Sequence, residues 1–440
     1  MGMFKKAAVS VFVFLATIIL LWAALYLTSL IPNESIRENM TGSSLYYKEK
    51  KAYTFDESGK LNRIEDCYAD AVLLNVLWNI KSEDAFVSSL DTKYYDGEEY
   101  GESLGLYLTI GGTAPNTDYS RYWHGSVVFI RPLLLVTDVV GIRNLGLLTA
   151  IVLLAAISLF LIRKRQYFLA AALPASYACV HFWRMQLSME YQSTILISLC
   201  ICLLYLLFEK RGNAQLICLA SVSGVMTAFF DFLTTETLTI TIPLLAVLIV
   251  REQEKRNPSF IKNIRFVISC GFSWGLSYGM TFLTKWILVS WVTGENRMTQ
   301  AISSAELRFG GDLTVYSMPF WKQVPSAVAA NLTTLFGGTK RVEMSLVCLG
   351  TAGVLLLGSA VFYLLRAEQK RRDIAAVLLL IALIPYVRYM VLSNHSYLHE
   401  FFTYRAQAAA VLALAGALWF NIDLSPIIVK QGKGKRNGRH

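Results

Sequence analysis

The feature that most constrains this chain is a series of apolar stretches, each long enough to cross a lipid bilayer as a helix. Crossing a hydrocarbon layer about 30 Å thick takes roughly 20 apolar residues. About ten such stretches lie along the 440 residues, at 7–30, 142–162, 167–183, 190–208, 214–230, 233–250, 266–286, 344–365, 374–393 and 403–424. Composition agrees, because 16% of the residues are charged, against about 25% in soluble proteins. We predict an all-α polytopic membrane protein and exclude a soluble multidomain enzyme.

The basic residues between these stretches predict the orientation of the chain. With the N-terminus inside, about 21 of the 41 basic residues but only about 6 of the 31 acidic residues fall in the inner connections or the C-terminal tail. Short basic loops stay on the cytoplasmic side of a membrane. We therefore predict that both termini are inside, in the plasma (cytoplasmic) membrane. The net charge of +10 then reflects orientation and does not indicate a nucleic-acid partner.

The remaining sequence divides the predicted single transmembrane domain, residues 1–440, into spans and three longer segments. These are a first outer loop at 31–141, a second outer loop at 287–343 and a basic cytoplasmic tail at 425–440. Outer segments of this length are usually functional or independently structured. In the first loop, apolar residues at helical spacing over 64–80 predict an amphipathic helix at the membrane surface. Residues 125–140 predict an interfacial helix that does not cross the membrane.

Charged residues in or near the spans lie almost entirely at the predicted outer end, and the first group is acidic. Glu65, Asp66 and Asp70 stand at the start of the predicted surface helix, and Asp66 and Asp70 share one of its faces because they are four residues apart. A carboxylate there could be a general base or a metal ligand. The alternative is a solvated acidic face, which the helix dipole favours at this position.

Two further groups mix aromatic and charged side chains at the outer face. One is the run Arg121, Tyr122, Trp123 and His124, which predicts either a platform for a sugar ring or an aromatic belt that anchors the protein in the membrane. The other contains Asp231 and Glu236, next to phenylalanines between two spans. Asp231, which phenylalanines flank, would either face a polar cavity or form an ion pair with Arg184.

The fourth group is cationic and stands near the outer headgroup level. It comprises Lys285, Arg388 and Arg405 together with His395 and His399. These residues predict a specific phosphate site, although lysines and arginines at this depth also extend toward lipid phosphate. The histidine spacing also suits a metal, with a third ligand from Asp66 or Asp231.

The order of these features resembles the GT-C superfamily of membrane glycosyltransferases, in particular bacterial members without a soluble C-terminal domain. The resemblance rests on the topology and on the segments 119–132, 230–235, 278–286 and 388–405. It implies a polyprenyl-phosphate-linked sugar as donor and an acidic residue of the first outer loop as catalytic base. That role falls on Asp66, or on Asp70 or Glu65 if the helix is turned differently.

The expected reaction transfers a sugar to a cell-envelope glycan or lipid-linked acceptor at the extracytoplasmic face. Fixed cations would stabilise the charge on the leaving phosphate, with Lys285, Arg388, Arg405, His395 and His399 as donor-phosphate ligands. Sugar or acceptor contacts are expected from Arg121, Tyr122, Trp123, His124, Asp231 and Glu236. A single displacement with Asp66 as base inverts the anomeric centre, and Mg²⁺ or Mn²⁺ is compatible but not required.

Two other classes of protein fit part of this pattern. A lipid-linked oligosaccharide polymerase or ligase also joins glycans at the outer face, often with arginine and histidine in place of a loop carboxylate. A lipid-linked sugar transporter or flippase is disfavoured, because no span carries a mid-membrane charge and no inverted repeat is detectable in the sequence.

Overall fold

The structure, a computed structural model, describes residues 3–97, 101–256, 258–299, 302–303, 306, 318–366 and 371–423. Part of the predicted second outer loop and the predicted tail at 425–440 lie outside these residues. Within them, eight helices are long and apolar enough to cross a membrane: Val9–Ser29, Val139–Arg163, Ser193–Arg211, Asn213–Phe230, Phe260–Thr293, Met344–Leu364, Arg372–Val391 and Glu400–Trp419. The prediction of an α-helical polytopic membrane protein is confirmed at this level.

The described chain is mostly helical. Its α-helices are α1 Met3–Ser29, α2 Asn33–Tyr47, α3 Cys67–Asn79, α4 Ala85–Ser88, α5 Gly101–Ile110, α6 Val127–Leu133, α7 Val139–Arg163, α8 Tyr167–Cys179, α9 Ser193–Phe208, α10 Asn213–Phe230, α11 Leu238–Gln253, α12 Phe260–Thr293, α13 Phe320–Leu335, α14 Met344–Leu364, α15 Arg372–Ala382, α16 Ile384–Val391, α17 Ser393–Leu398, α18 Glu400–Thr403 and α19 Ala408–Trp419. Short 3-10 helices occupy Leu61–Arg63, Ser82–Asp84, Phe182–Leu187, Glu209–Arg211 and Tyr404–Gln407.

Helix α11 forms the centre of the bundle. Every residue from Leu238 to Arg251 is buried, as expected of a helix that is apolar on all sides. Helices α9, α10, α15 and α19 pack around it. At the periphery, Val347 is the buried residue of α14, so the other side chains of this helix are free to face lipid. Helices α8 and α11 have 13 and 16 residues, which makes them shorter than the spans predicted at 167–183 and 233–250.

Ion pairs link several of the connections between helices at one end of the bundle. Arg256, after α11, pairs with Glu209, after α9, at 2.9 Å and with Glu254 at 2.6 Å. Arg371, after α14, pairs with Glu252 at 3.0 Å. These are connections that the charge pattern assigns to the inner side. Their clustering agrees with the predicted alternation along the chain, while the orientation itself stays a prediction.

The first outer region builds a small subdomain from α2 to α6 and two short antiparallel ladders. Strand β1 (Tyr53–Thr54) pairs with β2 (Glu65–Asp66), and β3 (Lys93–Tyr94) pairs with β4 (Thr117–Asp118). Helix α3 begins at Cys67, close to the predicted start, but α2 and α5 pack against it and most of its residues are buried. It is thus a core helix, where the periodicity predicted a surface helix. Helix α6 has seven residues, which is too short to cross a membrane.

Arg131 in α6 ties this subdomain to the first membrane helix. Its guanidinium donates to the Ile31 carbonyl at 3.0 and 2.6 Å and to the Leu77 carbonyl at 2.8 Å. Both carbonyls stand at or just beyond helix C-terminal ends, which attract a positive charge. Burial lowers the pKa of Arg131 to about 10, so the side chain stays protonated at neutral pH.

Candidate functional site

A cavity of about 240 Å³ lies where five distant segments meet. The segments are the β1–β2 ladder with the start of α3, the loop after β4, the connection before α9, the connection between α10 and α11, and helices α17 and α18. Its polar lining residues are Asp66, Arg121, His124, Glu190, His395 and His399, and its aromatic ones are Tyr53, Tyr68, Tyr119, Tyr122, Phe232 and Phe402. Each of the four groups singled out in the sequence thus contributes to one cavity.

Asp66 is the carboxylate of the acidic group that reaches this cavity. It closes β2 and caps α3, accepting a hydrogen bond from the Ala69 amide at 2.9 Å. Only 2% of the residue is exposed. Burial raises the pKa of the Asp66 carboxyl to about 7, and the negative charge of Asp70 adds to the increase. Asp66 therefore titrates near neutrality, as a general base at neutral pH requires.

Glu65 and Asp70 are held in ion pairs and are not among the lining residues. Arg143 at the start of α7 donates to both, to Glu65 Oε1 at 2.7 Å and to Asp70 Oδ2 at 2.7 Å. Glu65 also accepts from Lys50 at 2.7 Å. The Asp70 carboxylate accepts further from Ser188 Oγ and the Met189 amide, each at 2.8 Å. Arg143 was not identified from the sequence, because an arginine at the end of a predicted span is common and has no distinguishing local pattern.

The loop after β4 supplies a wall of aromatic rings and one guanidinium. The Arg121 guanidinium stacks on the Tyr119 ring at 4.4 Å and lies 5.3 Å from the Tyr122 ring. Trp123, in contrast, is not part of the lining. It is buried, and its indole nitrogen donates to the Thr281 carbonyl at 2.9 Å.

His124 presents a fixed hydrogen-bond acceptor at this wall. Its Nε2 bonds to the Tyr119 carbonyl at 2.9 Å, and a carbonyl can only accept, so Nε2 carries the proton. Burial lowers the pKa of His124 to about 3, which keeps the ring neutral. Its Nδ1 is then a lone-pair acceptor, buried and without a hydrogen-bond partner among the described residues.

Two histidines form the opposite wall. The rings of His395 and His399 lie 4.6 Å apart, and the His399 ring stacks on Phe402 at 5.3 Å. The Nε2 atom of His395 donates to the Leu233 carbonyl at 2.8 Å. The helical spacing of the pair predicted this adjacency, and the structure adds that both rings face the cavity.

Arg388 lies behind this wall and is engaged by protein groups. It pairs with Glu236 at 2.8 and 3.2 Å, and it donates to Ser396 Oγ at 2.9 Å and to the Leu233 carbonyl at 2.6 Å. Leu233 has a φ of +68°, a left-handed conformation that is costly for this residue. The two donors to its carbonyl hold the turn in place. Glu236 thus pairs with Arg388, a partner that the sequence did not indicate.

Asp231 and Lys285 also stand outside the cavity lining. Asp231 accepts from the Thr234 amide at 3.0 Å and from its hydroxyl at 2.5 Å. Burial, reinforced by the charge of Glu236, raises the pKa of Asp231 to about 7. Lys285 is fully buried and donates to the Leu90 carbonyl at 2.6 Å. Both side chains are therefore bound by protein groups outside the cavity.

Arg405 is a buried arginine whose N–H groups are only partly hydrogen-bonded. Its guanidinium lies 4.5 Å from the Tyr191 ring and donates to the Phe401 carbonyl at 3.2 Å. Its Nε and second terminal nitrogen are buried and have no hydrogen-bond partner among the described residues. Burial removes water from these nitrogens, and no described protein group replaces the lost hydrogen bonds, which is energetically costly.

Other cations surround the same place. The 3-10 helices Leu61–Arg63 and Phe182–Leu187 contact each other, and the first of them also contacts α18. The pKa of His181 is lowered, first by burial and then by the positive charges of Arg405, Arg184, Arg63 and Lys60. We call the four charged side chains, Arg405, Arg184, Arg63 and Lys60, the cation cluster. One of them, Arg63, pairs with the Asp56 carboxylate at 3.0 Å.

The predicted metal site is not assembled in the described part of the chain. Asp66, His395 and His399 line one cavity. No group of three or more His, Cys, Asp or Glu side chains among the described residues is arranged to hold a metal ion.

Comparisons with protein-family models, with curated proteins and with solved structures found no match to this chain.

Proposed function

We propose that this protein is a membrane glycosyltransferase that uses a polyprenyl-phosphate-linked sugar at the extracytoplasmic face. The acceptor is a cell-envelope glycan or a lipid-linked molecule. The observation that carries the proposal is Asp66, a carboxylate with a pKa near 7 in a cavity walled by aromatic rings. Ion pairs hold its neighbours Glu65 and Asp70 away from this role.

The cavity suits a single sugar ring. Ligand sites are commonly about 300 Å³ or larger, so a space of about 240 Å³ favours a small, compact ligand. Tyr119, Tyr122 and Phe232 offer ring faces to the C–H surface of a sugar. His124 Nδ1 can accept a hydrogen bond from one hydroxyl, and Arg121 can donate to another.

The reaction is a single displacement. Asp66 accepts the proton of the acceptor hydroxyl while that oxygen forms its bond to the anomeric carbon. The bond between that carbon and the phosphate oxygen breaks, and the phosphate leaves with the electron pair. Attack opposite to the leaving group inverts the anomeric configuration.

The cation cluster is the best-supported place for the leaving phosphate. Arg405 stands next to the cavity, because the Tyr191 ring that it contacts packs against the cavity residue Phe402 at 5.7 Å. The unpartnered nitrogens of Arg405 would donate to phosphate oxygens, and Arg184 and His181 stand beside it. Among the predicted donor-phosphate ligands, His395 and His399 remain candidates from inside the cavity, whereas Arg388 and Lys285 are already bound to protein groups.

The proposal is tested with Asp66→Asn in the full-length protein, reconstituted in vesicles with a panel of polyprenyl-phosphate sugars. Loss of the base should lower kcat by about 10²- to 10⁴-fold with little change in donor KM. Glu34→Gln, on an exposed carboxylate of α2, is the matched control and should keep full activity. Transfer by Asp66→Asn at the wild-type rate would exclude Asp66 as the base.

The stacked histidines support one second candidate, an oligosaccharide polymerase or ligase that depends on histidine and arginine. In that case His399→Gln would abolish glycan joining while Asp66→Asn keeps it. The glycosyltransferase proposal expects the larger loss from Asp66→Asn, and both variants are assayed with the same lipid-linked donors.

A further inference from the structure

The end of the bundle opposite the candidate active site contains a second solvent-accessible space. A cavity of about 350 Å³ opens between the first turns of α10 and α12. It is lined by Asn213 and Ile217 on the α10 side and by Lys262, Arg265, Phe266 and Ser269 on the α12 side. A neighbouring cavity of about 560 Å³ shares Asn213 with it.

Two cations of this cavity have no anionic partner among the residues that the structure describes. Lys262 and Arg265 are three residues apart on α12, so their side chains lie on one face of the helix. Both are exposed, and neither makes an ion pair or a side-chain hydrogen bond with the described residues. Two carboxylates line the neighbouring cavity, Glu209 and Glu254, and both are bound by Arg256.

A third cation adds to the positive charge at the rim. Arg251 is buried, and its guanidinium donates to the Asn213 side chain at 3.0 Å and lies 4.9 Å from the Phe266 ring. Its hydrogen-bond partners in the described structure are the neutral oxygens of Asn213 and of the Glu209 backbone. The cavity therefore has a net positive wall.

The other wall is apolar and continues along the lipid-facing side of α12. Ile217 and Phe266 line the cavity. Farther along α12, Ile268 and Phe272 are 63% and 70% exposed. Cations at the rim beside an exposed apolar surface suit an amphiphile. The charged headgroup of such a molecule would contact the cations, and its acyl chain would lie along the apolar surface of α12.

We propose that Lys262 and Arg265, with Arg251 behind them, form a binding site for a phospholipid with an anionic headgroup. The headgroup occupies the cavity between α10 and α12, and one acyl chain lies along Phe266, Ile268 and Phe272. Basic cavities between membrane helices recognise anionic headgroups in this way. The site is independent of the proposed glycosyltransfer, since it shares no residue with the cavity around Asp66.

The test compares lipid retention by the full-length protein purified in detergent. Native mass spectrometry counts bound phosphatidylglycerol and phosphatidylcholine after equal additions of each lipid. Wild-type protein should retain phosphatidylglycerol preferentially. The double substitution Lys262→Gln and Arg265→Gln should weaken that binding about 25-fold, the product of two contributions of roughly five-fold from single basic residues near an anionic surface.

The control is the double substitution Arg163→Gln and Arg165→Gln, two exposed cations at the same end that do not line the cavity. It should leave the phosphatidylglycerol preference unchanged. Equal loss in both double variants, or equal retention of the two lipids by wild-type protein, would overturn the proposal. Displacement of the lipid by inorganic phosphate at equal concentration would overturn it too, because the site would then recognise a soluble anion.

Discussion

Asp66 differs from its neighbours Glu65 and Asp70 in what surrounds its carboxylate. Arg143 and hydroxyl or amide donors bind the carboxylates of the neighbours, as expected of carboxylates removed from water. Asp66 is as buried as Asp70 but faces the cavity, and its pKa rises to about 7. The negative charge of Asp70 raises this pKa and the positive charge of Arg143 lowers it, so the pairing of Asp70 with Arg143 limits the increase.

The pKa of Asp66 makes a prediction for the pH dependence of transfer. A general base works in its ionised form, which predominates above its pKa of about 7. We expect kcat/KM to fall about tenfold per pH unit below that value and to level off above it. His124 stays neutral throughout, because its pKa is about 3. Initial rates measured from about pH 5 to about pH 9 check this. A kcat/KM that falls as the pH rises through 7 would contradict it.

The buried ion pairs of Arg143 make a prediction for stability. Arg143→Ala leaves Asp70 buried without its cation, which should cost about 3–5 kcal/mol. The matched control is Arg37→Ala, which removes an exposed pair with Glu34 at 2.6 Å and should cost at most about 1 kcal/mol. Thermal unfolding in one detergent compares the two variants. Equal shifts in Tm would mean that the Arg143 network does not stabilise the fold.

At the scale of elements, the close approach of α10 to α12 places the polar connection after α10 beside the cavity. Gly224 of α10 faces the α12 backbone, and a Cβ at this position would lie 2.3 Å from the Trp274 carbonyl oxygen. Small residues allow membrane helices to pack at such short distances. The glycine therefore sets the spacing of the two helices.

Gly224→Ala should destabilise the protein, because the added methyl group meets backbone atoms that cannot rotate away. Overpacking of this kind costs about 1–3 kcal/mol. Gly271→Ala on α12 is the control, since its Cβ would meet nothing within 4 Å, and it should be neutral or slightly stabilising. Tm in detergent and the yield of folded protein measure the difference. A stable Gly224→Ala variant would show that the helices separate at little cost.

At the scale of the whole molecule, the connections segregate to two ends. The candidate active site lies among the first outer region and the connections after β4, α10 and α16. The paired connections after α9, α11 and α14 lie at the other end. This separation gives a protein with a distinct chemistry at each end, a sugar-sized cavity at one and a basic surface at the other.

The predicted orientation places these two chemistries on opposite sides of the membrane. Single cysteines introduced at Glu49 and at Lys255 in a cysteine-free background should differ in labelling by a membrane-impermeant maleimide added to intact cells. We expect Glu49→Cys to react and Lys255→Cys to react only after permeabilisation, because short basic loops are retained inside. The reverse labelling pattern would show that the protein has the opposite orientation, with the cavity on the cytoplasmic side.

The sequence by itself determined the helical membrane class, and it singled out four of the five segments that line the cavity. Both follow from local properties: runs of apolar residues must satisfy their backbone hydrogen bonds as helices in lipid, and polar groups at span ends are conspicuous. It also placed His395 and His399 side by side, because residues four apart share a helix face.

Only the tertiary structure decided which polar residues are available for chemistry. Asp66, Glu65 and Asp70 are nearly equivalent in sequence, but Arg143 comes from a helix more than 70 positions away and pairs with two of them. Likewise Arg388 is held by Glu236 while Arg405 keeps unpartnered nitrogens. Burial and charge pairing depend on segments brought together by packing, and a local pattern contains no information about those partners.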